Sequence, residues 1–248
     1  MKQITTIGLD LAKQIFQVYG ADADGFPVFN RRLRRAEVLT FFEKQPSCLV
    51  GIEACGSSHY WAREIAARGH DVRLIPPAYV KPFVKRGKTD AADAEAISEA
   101  VIRKTMRFVP VKSIEQQTAA LVLKTRGLLV RQKTKAINAL RAHLSELGVV
   151  VGVGTAKVAG LIEIVRDETD ARLPKAVRFA LSAIADQIEA LTRQIGRLEQ
   201  EIVAEAKRDR DMRRLTTIPG VGQSRQHLSR RLFRIPPGSN PAAISLHG

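Results

Sequence analysis

Apolar and β-branched residues recur in short runs through the first third of the chain. Residues 4–33 contain three such runs, separated by short polar segments that include the Asp-Ala-Asp-Gly sequence at 22–25. Runs of this length with turn residues between them predict an antiparallel meander of three strands. Two further apolar runs, at 48–52 and 71–75, predict a fourth and a fifth strand.

Helical patterns alternate with the later strands. Apolar residues at helical spacing predict helices over residues 37–44, 57–69 and 90–104. The order is therefore three strands, helix, strand, helix, strand, helix. This alternation predicts an α/β domain built on a mixed sheet with flanking helices.

The pattern changes after Pro110, where it predicts long helices. Residues 115–147 carry an apolar stripe, with basic residues on the other faces. A heptad seam follows, formed by Ile184, Ile188, Leu191, Ile195, Leu198 and Ile202. The seam predicts a coiled-coil stalk that closes against the earlier long helix or against a second protomer, and we expect both contacts to contribute.

The charge balance identifies the class of partner. The chain of 248 residues has 40 Lys and Arg against 25 Asp and Glu, a net charge of +15. Such a balance favours a polyanion, and nucleic acid fits better than a membrane surface. No run of 18 apolar residues and no amino-terminal signal are recognised, so a cytoplasmic protein is expected. The two cysteines and five histidines lack the spacing of a structural zinc site.

Four acidic residues stand at predicted element ends. Asp10 follows the first strand and Glu53 follows the fourth, while Asp90 and Asp93 leave one face of the last helix of the α/β region. Open α/β sheets keep their sites at the carboxyl edge, where these four side chains would converge. Clustered carboxylates repel unless cations lie between them, and oxygen-only ligands suit Mg²⁺ or Mn²⁺. Two such ions about 4 Å apart are the usual means of displacement at a phosphodiester.

Helix capping and solvated turns are the alternative interpretation of the same acids. Acidic residues near a helix N-terminus complement the helix dipole, and Thr89 or Asp90 is suited to the N-cap position. Taken alone, the pair Asp90 and Asp93 favours capping. The positions of Asp10 and Glu53 reverse that preference, because capping does not explain acids at two strand ends.

Three segments carry a family resemblance. Residues 7–13 (IGLDLAK), 52–56 (IEACG) and 88–94 (KTDAADA) resemble the DEDD signature of transposases of the bacterial insertion-sequence family numbered one hundred and ten. Residues 1 to 222 follow the family in order and spacing. The resemblance implies a RuvC-like domain with the ribonuclease H fold and a metal-binding catalytic tetrad of Asp10, Glu53, Asp90 and Asp93. It also implies DNA recombination directed by an element-encoded structured RNA, and assembly of more than one protomer on DNA.

Basic residues on several segments are candidates for phosphate contact. The run at 31–35 has four arginines in five positions, a basic loop precedes residue 90, and the first long helix has a basic face. The candidates are Arg31, Arg32, Arg34, Arg35, Lys81, Lys85, Arg86, Lys88, Lys124, Arg131 and Lys135. An ordinary solvated strand end is the alternative for the arginine run. The aromatic residues Tyr60 and Trp61 are expected to pack in the core instead of stacking on bases.

The carboxyl-terminal segment departs from the family pattern. Residues 215–222 resemble a helix-hairpin-helix turn, but residues 223–248 contain no acid and no helical period, which indicates a disordered basic tail. The family's later serine nucleophile has no match here. The sequence therefore predicts a catalytic domain (1–110), a helical linker and dimerisation region (111–212) and a remnant of the C-terminal domain (213–248). These features suggest a frameshift or truncation after Gly222, and we then expect little or no strand transfer by this chain on its own.

Two further functions remain open. A resolvase-type, structure-specific endonuclease would use the same four carboxylates with water as the nucleophile. A non-catalytic remnant would still bind nucleic acid through its basic residues but would not catalyse a reaction. A sugar-kinase or chaperone-type ATPase also begins with a strand ending in Gly-x-Asp, but it requires glycine-rich phosphate loops that this sequence lacks.

Overall fold

The structure, a computed structural model, describes residues 3–84, 89–152, 154 and 157–208. These residues form two compact units that divide between Ser113 and Ile114. The three-part division at residues 110 and 212 that the sequence suggests stays a prediction. The predicted hairpin-like turn and basic tail at 213–248 lie outside the described residues.

The first unit contains five strands and four α-helices, and their order is as predicted except for a short helix, Pro77–Val80, that the sequence analysis does not predict. The strands are β1 (Thr6–Asp10), β2 (Ile15–Ala21), β3 (Pro27–Arg34), β4 (Leu49–Glu53) and β5 (Asp71–Ile75), and the helices are α1 (Val38–Glu43), α2 (Ser58–Ala66), α3 (Pro77–Val80) and α4 (Asp90–Val101). Short 3-10 turns precede α1 and follow α3. The last helix ends three residues before the predicted bound, at Val101, because the backbone breaks into a turn after Ile102.

The sheet is mixed, as the sequence predicts. Its strand order is β3-β2-β1-β4-β5. The meander β1-β2-β3 is antiparallel, whereas β4 and β5 run parallel to β1. This combination of a three-stranded meander with parallel crossover strands is consistent with a ribonuclease H-like fold. All three parallel strands end at the same edge of the sheet.

Each face of the sheet is covered by a different helical layer. Ile7, Leu9, Phe16 and Val50 lie on one face, where they form the larger core with α1 and α2. Trp61 of α2 belongs to this core and is 3% exposed, as expected, whereas Tyr60 is 42% exposed and lies outside the buried core with its ring against that of Trp61. The opposite face packs against α4.

Two glycines allow α4 to lie directly on the sheet. A Cβ atom at Gly8 of β1 would overlap the carbonyl oxygen of Ala94 and lie 2.6 Å from the amide nitrogen of Ser98. A Cβ at Gly51 of β4 would lie 2.9 Å from the Cβ of Val101. Isolated glycines inside strands mark such close approaches. The two contacts fix both the height and the direction of α4 over β1 and β4.

The second unit consists of α5 (Ile114–Glu146), α6 (Val158–Arg166) and α7 (Lys175–Arg208). The helices α5 and α7 pack along their length, and Arg126 donates from Nε to a carboxylate oxygen of Glu199 at 3.0 Å. Ile188, Leu191, Ile195 and Ile202 of the predicted seam are at most 8% exposed. The heptad seam therefore closes within the chain against the earlier long helix, one of the two predicted arrangements.

Among the described helices, we find no stretch that has both the length and the apolar character needed to cross a membrane.

Replacement of Gly8 by alanine tests the close approach of α4. The added methyl group meets backbone atoms, which cannot rotate away, so Gly8→Ala should lower the free energy of unfolding of the first unit by about 2 kcal/mol or more. Trp61 is the chain's single tryptophan, so its fluorescence during urea unfolding reports on this unit.

Gly56→Ala is the matched control for that substitution. A Cβ at Gly56 meets no atom within 4 Å, and we expect a change below about 0.5 kcal/mol. Equal stability of the two variants would contradict the proposed constraint on α4.

Candidate metal centre

Two of the four predicted acids lie side by side at the end of the parallel strands. Leu9 of β1 is in register with Ile52 of β4, so Asp10 and Glu53 are the next residues on neighbouring strands. Side chains alternate between faces along a strand. Asp10 therefore shares the face of Gly8, and Glu53 shares that of Gly51, which is the face covered by α4.

The other two acids occupy the first turn of α4. Thr89 is the N-cap residue, and its hydroxyl accepts a hydrogen bond from the Ala92 amide at 3.3 Å. This confirms Thr89 as the N-cap residue, so the side chains of Asp90 and Asp93 are not needed for capping. Both acids lie on the helix face that carries the buried residue Ala94. Since Ala94 lies over Gly8, the N-terminus of α4 extends toward the end of β1.

The electrostatics of Asp10 reflect this arrangement. Burial, and after it the charges of Asp93, Asp90 and Glu53, together raise the pKa of Asp10 from the ordinary 3.8 to about 6. The pKa of Glu53 is also raised, by burial and by Asp93, while Lys81 acts in the opposite direction. The three other carboxylates thus lie close enough to Asp10 to affect its pKa.

The donor set fits a hard divalent cation. Four carboxylates offer only oxygen ligands, and the excess of negative charge favours binding of Mg²⁺ or Mn²⁺. Within the part of the chain that the structure describes, no group of three or more His, Cys, Asp or Glu side chains is gathered closely enough to hold an ion as it stands. The carboxylates are therefore neighbours whose side chains must turn inward to share a cation.

The arginine run at 31–35 spans the end of β3 and the 3-10 turn that begins at Arg35. The guanidinium of Arg31 lies 4.8 Å from the ring centre of Phe41, and that of Arg35 lies 5.0 Å from Trp61. Arg32 and Arg34 alternate with them and are exposed. The four residues therefore have two different environments.

The remaining basic candidates lie in three places. Lys81 follows α3 and is near enough to Glu53 to affect its pKa. The candidates Lys85, Arg86 and Lys88 lie outside the described residues. Lys124, Arg131 and Lys135 are exposed on α5, in the second unit.

Gly8 and Gly51 are the residues that the sequence analysis misses. They contribute no ligand, yet they position the helix that carries Asp90 and Asp93. The available signal is their place in the middle of apolar strands, where an isolated glycine indicates close approach of another backbone.

The fold and the acid cluster define a class, the ribonuclease H-like proteins with a carboxylate site at the end of the first strand. Comparison with known proteins is more specific. The model of the DEDD transposases of the IS110 type, described as transposase, matches residues 7–148. The chain belongs to this family.

Several curated relatives of the chain are also named transposases. The chain is 46% identical over 220 residues to a family 20 transposase of Pseudomonas aeruginosa, an alignment covering 88% of this chain and 65% of that protein. It is 36% identical over 223 residues to the transposase of insertion sequence IS1111A of Coxiella burnetii, covering 90% of this chain and 61% of that protein. It is 35% identical to the transposase of IS1328 of Yersinia enterocolitica, covering 90% and 66%. The chain thus spans less than two thirds of the length of these relatives.

The raised pKa of Asp10 predicts a pH-dependent stability of the metal-free protein. The folded chain holds this proton more tightly than the unfolded chain, so the stabilisation is complete below about pH 4 and is lost as the pH rises through about 6. Asp10→Asn stays neutral, so it should match the wild type near pH 4 and exceed it at pH 7.5. A shift of two pKa units corresponds to about 3 kcal/mol, and solvent screening of this half-buried group reduces the expected gain to about 1–2 kcal/mol.

Urea unfolding in EDTA, followed by Trp61 fluorescence across this pH range, measures the difference. Asp24→Asn removes the same charge from an exposed turn and should leave the pH profile unchanged. An Asp10→Asn variant that is no more stable than the wild type at pH 7.5 would show that the carboxylates do not repel.

Proposed function

We propose that this chain provides the metal-dependent catalytic domain of a transposase that acts by phosphoryl transfer on DNA. Two divalent ions, Mg²⁺ or Mn²⁺, would be held by Asp10, Glu53, Asp90 and Asp93. The observation that carries the proposal is the meeting of two strand ends with the first turn of α4, where three acids raise the pKa of Asp10. Membership of the DEDD transposase family supports divalent metal use and a DNA substrate.

The residues of the site divide the task. Asp10 lies in the middle of the cluster, half-buried, and would lose its proton as a cation binds. Asp90 is exposed at the first position of α4, where its carboxylate would be accessible to a substrate. Bound divalent cations would polarise the phosphodiester and lower the pKa of the attacking group.

Lys81 opposes the negative charge of the cluster. Its effect on Glu53 favours the ionised carboxylate that a metal ligand requires. The N-terminus of α4 adds a positive partial charge beside Asp90 and Asp93. Both features allow a phosphate group to approach a site that is otherwise strongly negative.

The family resemblance implies two further partners of the proposed transposase. One is a structured RNA, encoded by the element, that would direct the recombination. The other is additional protomers, which would assemble with this chain on DNA. The net charge of +15 supports a nucleic-acid partner of either kind. The exposed basic residues Lys124, Arg131 and Lys135 provide a face of α5 for it.

A resolvase-type endonuclease is the second candidate function. All four carboxylates belong to the first compact unit, so hydrolysis with water as the nucleophile requires no residue from elsewhere. Cleavage of a four-way junction by this chain, without strand transfer, would favour that activity.

Asp10→Asn tests the metal site directly. Mg²⁺ at ten times its Kd should stabilise the wild-type first unit by about 1.4 kcal/mol, and the variant should lose this stabilisation because its amide cannot replace a central carboxylate ligand. Thermal unfolding followed by Trp61 fluorescence, with MgCl₂ or EDTA, measures the effect. Mg²⁺-dependent nicking of supercoiled DNA should disappear in parallel.

The control is again Asp24→Asn, which keeps the cluster intact and should retain the full response to Mg²⁺. Undiminished stabilisation of Asp10→Asn by Mg²⁺ would remove Asp10 from the metal site. Binding of DNA without nicking by the wild type would instead support a non-catalytic nucleic-acid-binding protein.

A further inference from the structure

A lateral row of residues runs from the acid cluster to the edge of the sheet. Asp10 of β1 is in register with Gln17 of β2, and Gln17 is in register with Arg32 of β3. Directly paired residues point to the same side of a sheet. Asp10, Gln17 and Arg32 therefore share the face on which α4 packs, with Gln17 buried between the other two.

The packing of β2 identifies this face independently. Tyr19, which follows Gln17 by two positions, packs with Ala94 of α4. Phe16 and Val18 lie in the core on the opposite side. The alternation along β2 thus assigns Gln17, and with it Arg32, to the side of the acid cluster.

The spacing along this face suits a nucleic-acid strand. Two interstrand steps place the Cα of Arg32 about 10 Å from that of Asp10. Arg34 is two residues further along the exposed edge strand β3, about 7 Å from Arg32, on the same face. This interval is close to that between successive phosphates of one strand.

The alternate positions of the run have a structural role. Arg31 lies over Phe41, and Arg35 lies over Trp61, both rings belonging to the larger core on the opposite face. Leu33, between them, is 4% exposed in the same core. Arginine on an aromatic face contributes to stability, and its side chain covers the apolar surface beneath.

Arg32 and Arg34 have no such partner. Both are exposed, and neither takes part in an ion pair or an aromatic contact with the residues that the structure describes. Two unpaired guanidinium groups on one face of an edge strand are well suited to phosphate oxygens.

We propose that the DNA strand whose phosphate meets the four acids continues across β2, and that Arg32 and Arg34 hold its flanking phosphates. Arg31 and Arg35 take no part in this contact. The inference rests on the proposed function, since it assumes DNA at the acid cluster. It assigns different roles to the four arginines of the run at 31–35, which the sequence alone does not distinguish.

Two double variants of equal charge test the assignment in the full chain. Arg32→Gln/Arg34→Gln should weaken DNA binding several-fold and make the slope of log K against log salt shallower by about 1.8, or 0.9 for each lost phosphate contact on a duplex. Its unfolding temperature, followed by Trp61 fluorescence, should stay unchanged. Arg31→Gln/Arg35→Gln should do the reverse, with lower thermal stability and an unaltered salt slope.

Fluorescence anisotropy with a labelled DNA duplex in EDTA keeps the binding measurement independent of catalysis. Equal loss of DNA affinity in both double variants, or none in Arg32→Gln/Arg34→Gln, would overturn the proposal. A loss confined to RNA would overturn the assignment to DNA.

Nicking by the wild type distinguishes this inference from the proposed function. If the wild type does not nick DNA but the two double variants still separate as expected, the strand path stands and the catalytic proposal fails. If the wild type nicks DNA and Arg32→Gln/Arg34→Gln binds it with wild-type affinity and salt slope, the strand path fails alone.

Discussion

The candidate site depends on the direct contact between the backbone of β1 and the backbone of α4. Gly8 has no side chain, so the strand meets the helix at Ala94 and Ser98 without a layer of side chains between them. Gly51 repeats this on β4. Helices ordinarily stand off a sheet by the thickness of their side chains. Here the shorter separation brings the first turn of α4 to the height of the strand ends, where short aspartate side chains can meet.

The same contact forces like charges together, and the rest of the unit must hold them there. The charges around Asp10 favour separation of α4 from β1, in opposition to the packing of the helix. Apolar cores on both faces of the sheet supply the stabilisation that opposes this repulsion. Stability is commonly given up at functional sites in this way.

Local patterns predicted most of the first unit correctly, because strand length, helical period and turn residues are properties of neighbouring residues. The order of elements, the antiparallel meander and the N-cap at Thr89 follow from them. The close approach at Gly8 does not, since it depends on residues more than 80 positions apart along the chain. For the site, strand-end acids could be recognised from sequence, whereas their mutual distances depend on how α4 packs. Whether the seam at Ile188 and Ile195 closes within one chain also required the structure, because a heptad pattern specifies an apolar stripe and not its partner.

The arginine run on β3 shows why basic composition overstates the nucleic-acid interface. A strand presents alternate residues to opposite faces, so Arg31 lies on the opposite face of β3 from Arg32 and Arg34, while Arg35 begins the 3-10 turn after the strand. On one face Arg31 and Arg35 shield aromatic rings at the open edge of the core, a position in which a long side chain with a charged tip is favoured. In the second unit, Arg126 is likewise paired with Glu199. A net charge of +15 therefore describes the chain only at long range, while the register of β3 against β2 and β1 decides which guanidinium groups share the face of Asp10.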